Sequence, residues 1–472
     1  VDKDESGLAK DAIGLWGLVF YSISVILPGG AFAITGAAAI IYGGYSAPLA
    51  FILGGLAVFL SVIPVYFFSQ YISSAGGYYK YIESSIPNKY LSKSVGFWQV
   101  FWVVGDMIAA SSVIPWLSWA YSALFHVSLP LDVVLLLSLV IPVSCLLVSY
   151  FGISLSSRIT IVVGTLQIAF FSVLGVALLL KSRHPSPVLR VEDFHSLFLS
   201  MVVGALLAYS GYGSIISLGE EAKLSRKTIK RAVMVSVSIM VLFFSFVVYS
   251  IVASAGPDLP VAQAQLAPGI YVTEELLGER VSSLALAIVL FSQVITSVLF
   301  GSSGARTVYS LAQDGFFPDF LKVTRRNGSP FRATAFIIGL GMIGSLSTIV
   351  PLILDYGVGK GLFYSFTIWA TVITVLFLFI QIVTNMSLPF FLRRRGMKVK
   401  VLDHLLPSIT GSSILVVALY YSLQNLDPPL NLIYFILVGL VITPLVMVYA
   451  LHDSIEVEES PGGARPNHEG LG

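Results

Sequence analysis

Charge is scarce in this chain. Only 11% of its 472 residues are Asp, Glu, Lys or Arg, where a water-soluble domain carries about a quarter. With 56% hydrophobic residues and a mean hydropathy of +0.88, the composition is that of a polytopic protein whose main solvent is lipid. Cysteine is nearly absent. Cys145 stands alone in an apolar run, which excludes an internal disulfide. The six histidines (His126, His184, His195, His404, His452 and His468) fall in predicted loops or at predicted span ends. No HExxH, nucleophile elbow or cysteine cluster occurs. The chain therefore reads as a non-enzyme that needs no metal and no cofactor. The net charge of +2 is the remainder of opposing loop charges. The basic residues serve topology, so no nucleic-acid partner is expected.

Long apolar runs are what the chain does have. A helix needs about 20 mostly apolar residues to cross a bilayer. Twelve segments qualify: 13–41, 47–70, 95–125, 133–150, 157–181, 197–219, 229–253, 281–306, 333–354, 362–389, 405–423 and 430–452. Lys and Arg crowd alternate connections, including Lys80, Lys89 and Lys93, then Lys223 to Arg231, Lys322 to Arg332, and Arg393 to Lys400. The other side holds only Lys181, Arg183, Arg190, Arg280 and Lys360. That bias places both termini in the cytoplasm of a plasma-membrane protein. Residues 1–12 are charged and polar, without a signal-peptide pattern. Residues 453–472 are acidic and then rich in Pro and Gly, and read as a disordered tail. The connection 76–90 reads as an interfacial helix or an ordinary loop. The connection 256–280 contains an amphipathic stretch, and a short helix over the outer face is expected there.

Two of the spans carry helix breakers at mid-depth. Pro28, Gly29 and Gly30 interrupt the first. Ser210, Gly211 and Gly213 interrupt the sixth, with Gly30 and Gly211 181 positions apart. Unwound backbone in lipid costs several kcal/mol per unpaired group unless it is buried in protein or lines a cavity. Paired interruptions at corresponding places in two halves point to a transporter built from inverted repeats, with its site at the midplane. Glycine lets a ligand approach the backbone. Gly54, Gly55, Gly339, Gly341 and Gly344 are better read as helix packing.

The motifs around these breaks resemble the amino acid–polyamine–organocation (APC) superfamily. PGGAFAITG is similar to the family's G-S-G-I-F element in the first helix. AGGYYKYIES resembles S-G-G-x-Y after the second span. AYSGYGSIISLGEEAKLSRKTIKRAV resembles the segment F-x-G-F followed by E-E-x-K-N-P. FGISLSSRI and SGARTVYSLAQDGFFPDFL resemble the elements at the fifth and eighth spans. The likeness covers most of residues 14–397. It implies an all-α LeuT-type fold of two inverted five-helix repeats, 13–181 and 197–389, with broken helices 1 and 6. Two peripheral helices lie in 405–452. It implies secondary active transport of an amino acid or related amine by a monomer or loose homodimer. It also implies a substrate site at Gly29, Gly30 and Ala31 and at Tyr209, Ser210 and Gly211, with Phe32 or Tyr212 closing over it. One departure is Pro28-Gly29-Gly30 in place of Gly-Ser-Gly, which removes an N–H and a hydroxyl. Another is Gln167, at the position where several proton-driven members have a lysine.

Asp106 lies about a dozen residues into the third span, near the midplane at about 1.5 Å per residue. A carboxylate there costs roughly 2.5–3.5 kcal/mol on insertion scales, which makes it a functional candidate. It carries a coupling proton, pairs with a cationic substrate, or is a structural acid bonded to a hydroxyl such as Ser111. Thr296 and Ser297 in the eighth span are adjacent hydroxyls that either complete a sodium site with carbonyls of the first break or bond within their own helix. The expected activity is proton-coupled uptake of amino acids. The alternatives are an exchanger or importer of cationic amino acids or polyamines, and a sodium-coupled symporter.

Overall fold

The computed structural model describes residues 11–124, 129–149, 153–182, 189–325, 328–424 and 426–450. Arg183, Arg326, His126, His184, His452, His468, residues 1–10 and the tail 453–472 lie outside the described residues. Among the described residues twelve helices are long and apolar enough to cross a membrane, as the composition predicts. The third and tenth spans hold the longest unbroken helices among the described residues, Lys89–Leu124 and Val358–Arg394. The fourth is made of Leu131–Ser138 and Val140–Ser149. It is interrupted at Leu139, where Pro142 cannot supply the amide that would continue the helical ladder.

The first span is built from three pieces. Leu15–Ile26 ends at Leu27, which adopts a left-handed conformation (φ 61°). Pro28 disfavours a right-handed helical Leu27 and has no N–H of its own. The chain turns there, resumes as Gly30–Ala33, bends again at Ile34 (φ −121°, ψ −81°) and continues as Thr35–Gly43. The sixth span differs from the expected uncoiled break. It passes from Phe194–Ser200 through a π segment, Met201–Leu206, a single α turn, Leu207–Ser210, and a 3₁₀ stretch, Gly211–Leu218. No proline removes a donor here, so the chain changes its winding without unwinding. Such changes of helical period mark functional positions more often than ordinary ones.

The two spans touch backbone to backbone. A methyl built on Gly211 would lie 2.8 Å from the Val25 carbonyl and 2.9 Å from the Ile26 nitrogen. Two turns earlier, one built on Gly204 would lie 2.8 Å from the Thr35 carbonyl and 2.5 Å from the Ala39 methyl. These glycines set the depth of the crossing, in the manner of small-residue contacts between membrane helices.

Contacts sort the connections into two ends. At one end Ala12 and Ile13 donate to the Glu221 carbonyl at 2.8 and 3.1 Å, and Lys223 N–H donates to the Ile13 carbonyl at 2.8 Å. Lys80 and Lys93 reach Asp314 at 2.8 and 2.6 Å. This end gathers the connections 2–3, 6–7 and 8–9, the basic ones. At the other end Tyr45 donates to the Gly256 carbonyl at 2.7 Å, Glu192 N–H to Ser46 at 3.0 Å, and Gln263 to the Ile41 carbonyl at 2.9 Å. The alternation expected from charge is thus present in the packing.

Both structured connections carry helices. Tyr78–Ser85 buries Tyr78, Tyr79, Tyr81 and Ile82 within the bundle, so it is an inserted element and not an interfacial one. The connection 256–280 holds Leu259–Gln263 and Pro268–Leu277. Gly269 presses on the first span, where an added methyl would lie 2.1 Å from the Phe32 carbonyl.

Candidate functional site

Where the first and sixth spans cross, a cavity with about 50 Å³ of open space lies between them and the third, eighth and tenth spans. That volume holds a few waters, so an amino acid enters only when the helices move apart. The walls are mostly aliphatic and aromatic, with Leu27, Ile34, Val113, Phe300, Phe366 and Ile373 among them. The polar side chains are Asp106, Thr35, Ser210, Gln293 and Thr296, and no Lys, Arg or His joins them.

Four of the residues expected from sequence meet here: Asp106, Ser210, Gly211 and Thr296. The others point elsewhere. Gly29 packs under Phe171 and Val289, which an added methyl would meet at 3.1 and 3.2 Å. Gly30 faces the Leu27 side chain, and its N–H donates to the Leu27 carbonyl at 2.8 Å. Ala31 is fully buried away from the cavity. Phe32 packs against Phe171 with ring centroids 5.2 Å apart and planes tilted by 34°. Tyr209 donates to the Phe51 carbonyl at 3.1 Å. Tyr212 sets its ring edge-on to Phe377 at 5.9 Å. Neither aromatic gate candidate covers the cavity.

Asp106 is half-buried, and its Oδ2 atom has no hydrogen-bond partner. The suggested partner Ser111 instead donates to the Met107 carbonyl at 2.8 Å. Thr296 donates to the Ser24 carbonyl at 2.6 Å and ties the eighth span to the first. Ser297 is buried behind it and accepts from Gln293 at 3.1 Å. Adjacent helical residues point about 100° apart, so the two hydroxyls face different surroundings. Gln167 is buried, with its Oε1 atom unpartnered. Among the described residues no group of three or more His, Cys, Asp or Glu could hold a metal.

Thr35 and Gln293 were not singled out by sequence. Each is a polar residue in an apolar span, and Gln293 stands four residues before Ser297, one helical turn away. Thr35 is brought to the cavity wall by the bend at Ile34, where Gly36 packs on the Ala31 carbonyl.

At the basic end the buried Arg306 bonds Glu221 through two nitrogens, one of them at 2.9 Å. Tyr79 shares Asp314 with Lys80 and Lys93 and meets Ser310 at 2.6 Å. Burial alone would raise the Asp314 carboxyl, but Lys93 and Lys80 outweigh it and hold it below the ordinary range.

Comparison with known proteins agrees with this architecture. The profile described as "Amino acid permease" matches residues 17–455. The chain is 30% identical over 184 residues to the branched-chain amino acid permease BcaP of Lactococcus lactis, a match covering 36% of this chain and 38% of that one. It is 27% identical over 158 residues to isp5 of Schizosaccharomyces pombe, named for an amino-acid permease of the sexual differentiation process. That match covers 33% of this chain and 27% of isp5. The chain thus spans well under half the length of either relative in these alignments. By the extent of the profile match, the chain belongs to the amino acid permease family.

Proposed function

We propose that the chain imports a neutral amino acid by proton-coupled alternating access, with Asp106 as the group that takes up and releases the proton. The observation that carries this reading is the charge inventory of the cavity. Its lining has one carboxylate, with an unpartnered oxygen, and no cation. A carboxylate in that position invites a proton or a cationic ligand. The aliphatic walls suit an apolar side chain. Sodium coupling has less support, because Thr296 and Ser297 already bond Ser24 and Gln293 in different directions. In this reading the basic end faces the cytoplasm and the membrane is the plasma membrane.

The test is uptake into proteoliposomes by Asp106→Asn. The variant is expected to retain counterflow exchange of its substrate and to lose its response to an imposed pH gradient. Uptake that follows the gradient as in the wild type would sink the proton role. A second reading, import of cationic amino acids or polyamines, draws on the same unpaired carboxylate. It predicts that Asp106→Asn stops lysine or putrescine from competing, while competition by neutral amino acids survives.

A further inference from the structure

The second span, Ala47–Ser69, packs against the seventh and the eleventh. Its Gly55 faces Val241 of the seventh, and its Leu60 faces Gly411 of the eleventh. Between these neighbours a strip of the second span stays uncovered. Ile52 and Leu56 are exposed and Ile63 is half-buried. At about 100° per residue these three fall within about 40° of one another, and Tyr66 and Phe67 straddle the strip at its basic end.

Cations close both flanks there. Lys230 of the seventh span lies over the Tyr66 ring, 5.1 Å from its centroid. Across the strip, Phe67 meets His404 edge-on at the start of the eleventh span, with ring centroids 4.5 Å apart. Four residues on, Arg395 lies over the Tyr71 ring at 5.0 Å. Residues 223–231 hold five Lys or Arg and no acid, and so do residues 393–400. Among these cations only Lys400 meets a carboxylate of the described residues, Asp403 at 3.2 Å. Lys230 is half-buried as well, and a cation withdrawn from water without an anion is unfavourable. Topology accounts for cations at this end. It does not require two of them to sit on aromatic rings beside an open apolar strip with no carboxylate to face.

We propose that this groove binds an anionic phospholipid of the leaflet at the basic end. Its phosphate lies between Lys230 and Arg395, and an acyl chain runs along Ile63, Leu56 and Ile52. The charges are complementary, and the lengths agree. From Ile63 to Ile52 the helix rises about 16 Å, close to the roughly 15 Å hydrocarbon depth of one leaflet. An inorganic anion would use the cations and leave the strip bare. Lipid binding here does not depend on which substrate is carried.

The test is lipid retention by the purified full chain, titrated with dioleoylphosphatidylglycerol or dioleoylphosphatidylcholine and read by native mass spectrometry. Each cation beside an anionic headgroup is worth about fivefold in affinity. Lys230→Gln with Arg395→Gln should therefore weaken the first phosphatidylglycerol by about 25-fold and leave phosphatidylcholine within about twofold. Unchanged phosphatidylcholine binding reports that the variant is folded. Lys322→Gln with Arg332→Gln removes the same charge from the connection between the eighth and ninth spans, and should alter neither lipid. Millimolar inorganic phosphate should not displace phosphatidylglycerol. The site is overturned if the wild type holds both lipids alike, if the groove pair keeps wild-type affinity, or if the control pair weakens phosphatidylglycerol as much. Equal loss of both lipids in the groove pair also overturns it, since the two cations then serve the fold and not the headgroup. Displacement by phosphate overturns the lipid as occupant.

Discussion

Gly211→Ala tests whether the crossing of the first and sixth spans shapes the cavity. The added methyl would meet the Val25 carbonyl at 2.8 Å and the Ile26 nitrogen at 2.9 Å. Comfortable carbon contacts begin at about 3.5 Å, so the helices must separate by about 0.7 Å. The three atoms nearest to it all belong to backbone, so a rotamer change cannot absorb that clash. Overpacking of this kind costs about 1–3 kcal/mol. Val25, Ile26 and Gly211 also line the cavity, so substrate affinity should fall along with stability. Thermal unfolding of the purified protein, with and without substrate, reads both effects. The control is Gly439→Ala in the twelfth span, where an added methyl meets nothing within 4 Å and the change should be neutral or slightly stabilising. If Gly211→Ala melts and binds like the wild type, the close approach does not set the crossing, and the geometric account of the cavity is wrong.

Two further expectations concern the basic end. Asp314→Asn leaves Lys93, whose side chain is 4% exposed, with the Glu83 contact at 3.4 Å and the face of the Tyr79 ring, and should cost about 1–3 kcal/mol. Because the Asp314 carboxyl is held low, its contribution is present above the ordinary carboxylate range and is lost only as pH falls through the depressed value. Burial alone would lower Lys80, but Asp314 and Glu83 raise it beyond its ordinary 10.5, so its contribution persists below that value and is lost only above it. The stability gap between wild type and Asp314→Asn should therefore be flat from about pH 5 to 9 and narrow below about pH 4; a gap that closes near pH 7 would refute this assignment. Glu221→Gln leaves Arg306, 2% exposed, facing an uncharged partner. It should cost about 3–5 kcal/mol, visible as loss of monodisperse protein on size-exclusion chromatography, with Glu221→Gln plus Arg306→Met recovering part of it.

The twelve spans and their alternation were legible because lipid imposes a simple rule on composition, and Lys and Arg obey it. The first break was legible because Pro28 removes a donor whatever its surroundings. The sixth span was only half legible. Gly211 marks the crossing, but the choice between an uncoiled gap and a change of helical period depends on packing against Val25 and Thr35, which lie some 180 residues away in sequence. The cavity was half legible for the same reason. Asp106 announces itself as a charge in an apolar run, whereas Gly29 to Phe32 carry the familiar motif and yet face Phe171, Val289 and Leu27. Thr35 reaches the cavity only through the bend at Ile34, which brings the Ala31 carbonyl against Gly36, where an added methyl would lie 1.7 Å from it. The Lys80–Lys93–Asp314 group was invisible because it joins two connections, with Lys93 and Asp314 221 residues apart in sequence.

The hydrogen bonds between Ala12, Ile13 and the stretch Glu221 to Lys223 have a mechanical consequence. Together with the contact at Gly211 they pin the first and sixth spans to each other at two heights. A lever pinned twice to its neighbour cannot swing alone. Motion of the first span's basic half must carry the end of the sixth with it, or else unzip three hydrogen bonds and expose Ile13, now 1% accessible. A cysteine pair bridging residues 13 and 222 would separate the two cases, because a permease that still cycles when so bolted moves the two half-helices as one body.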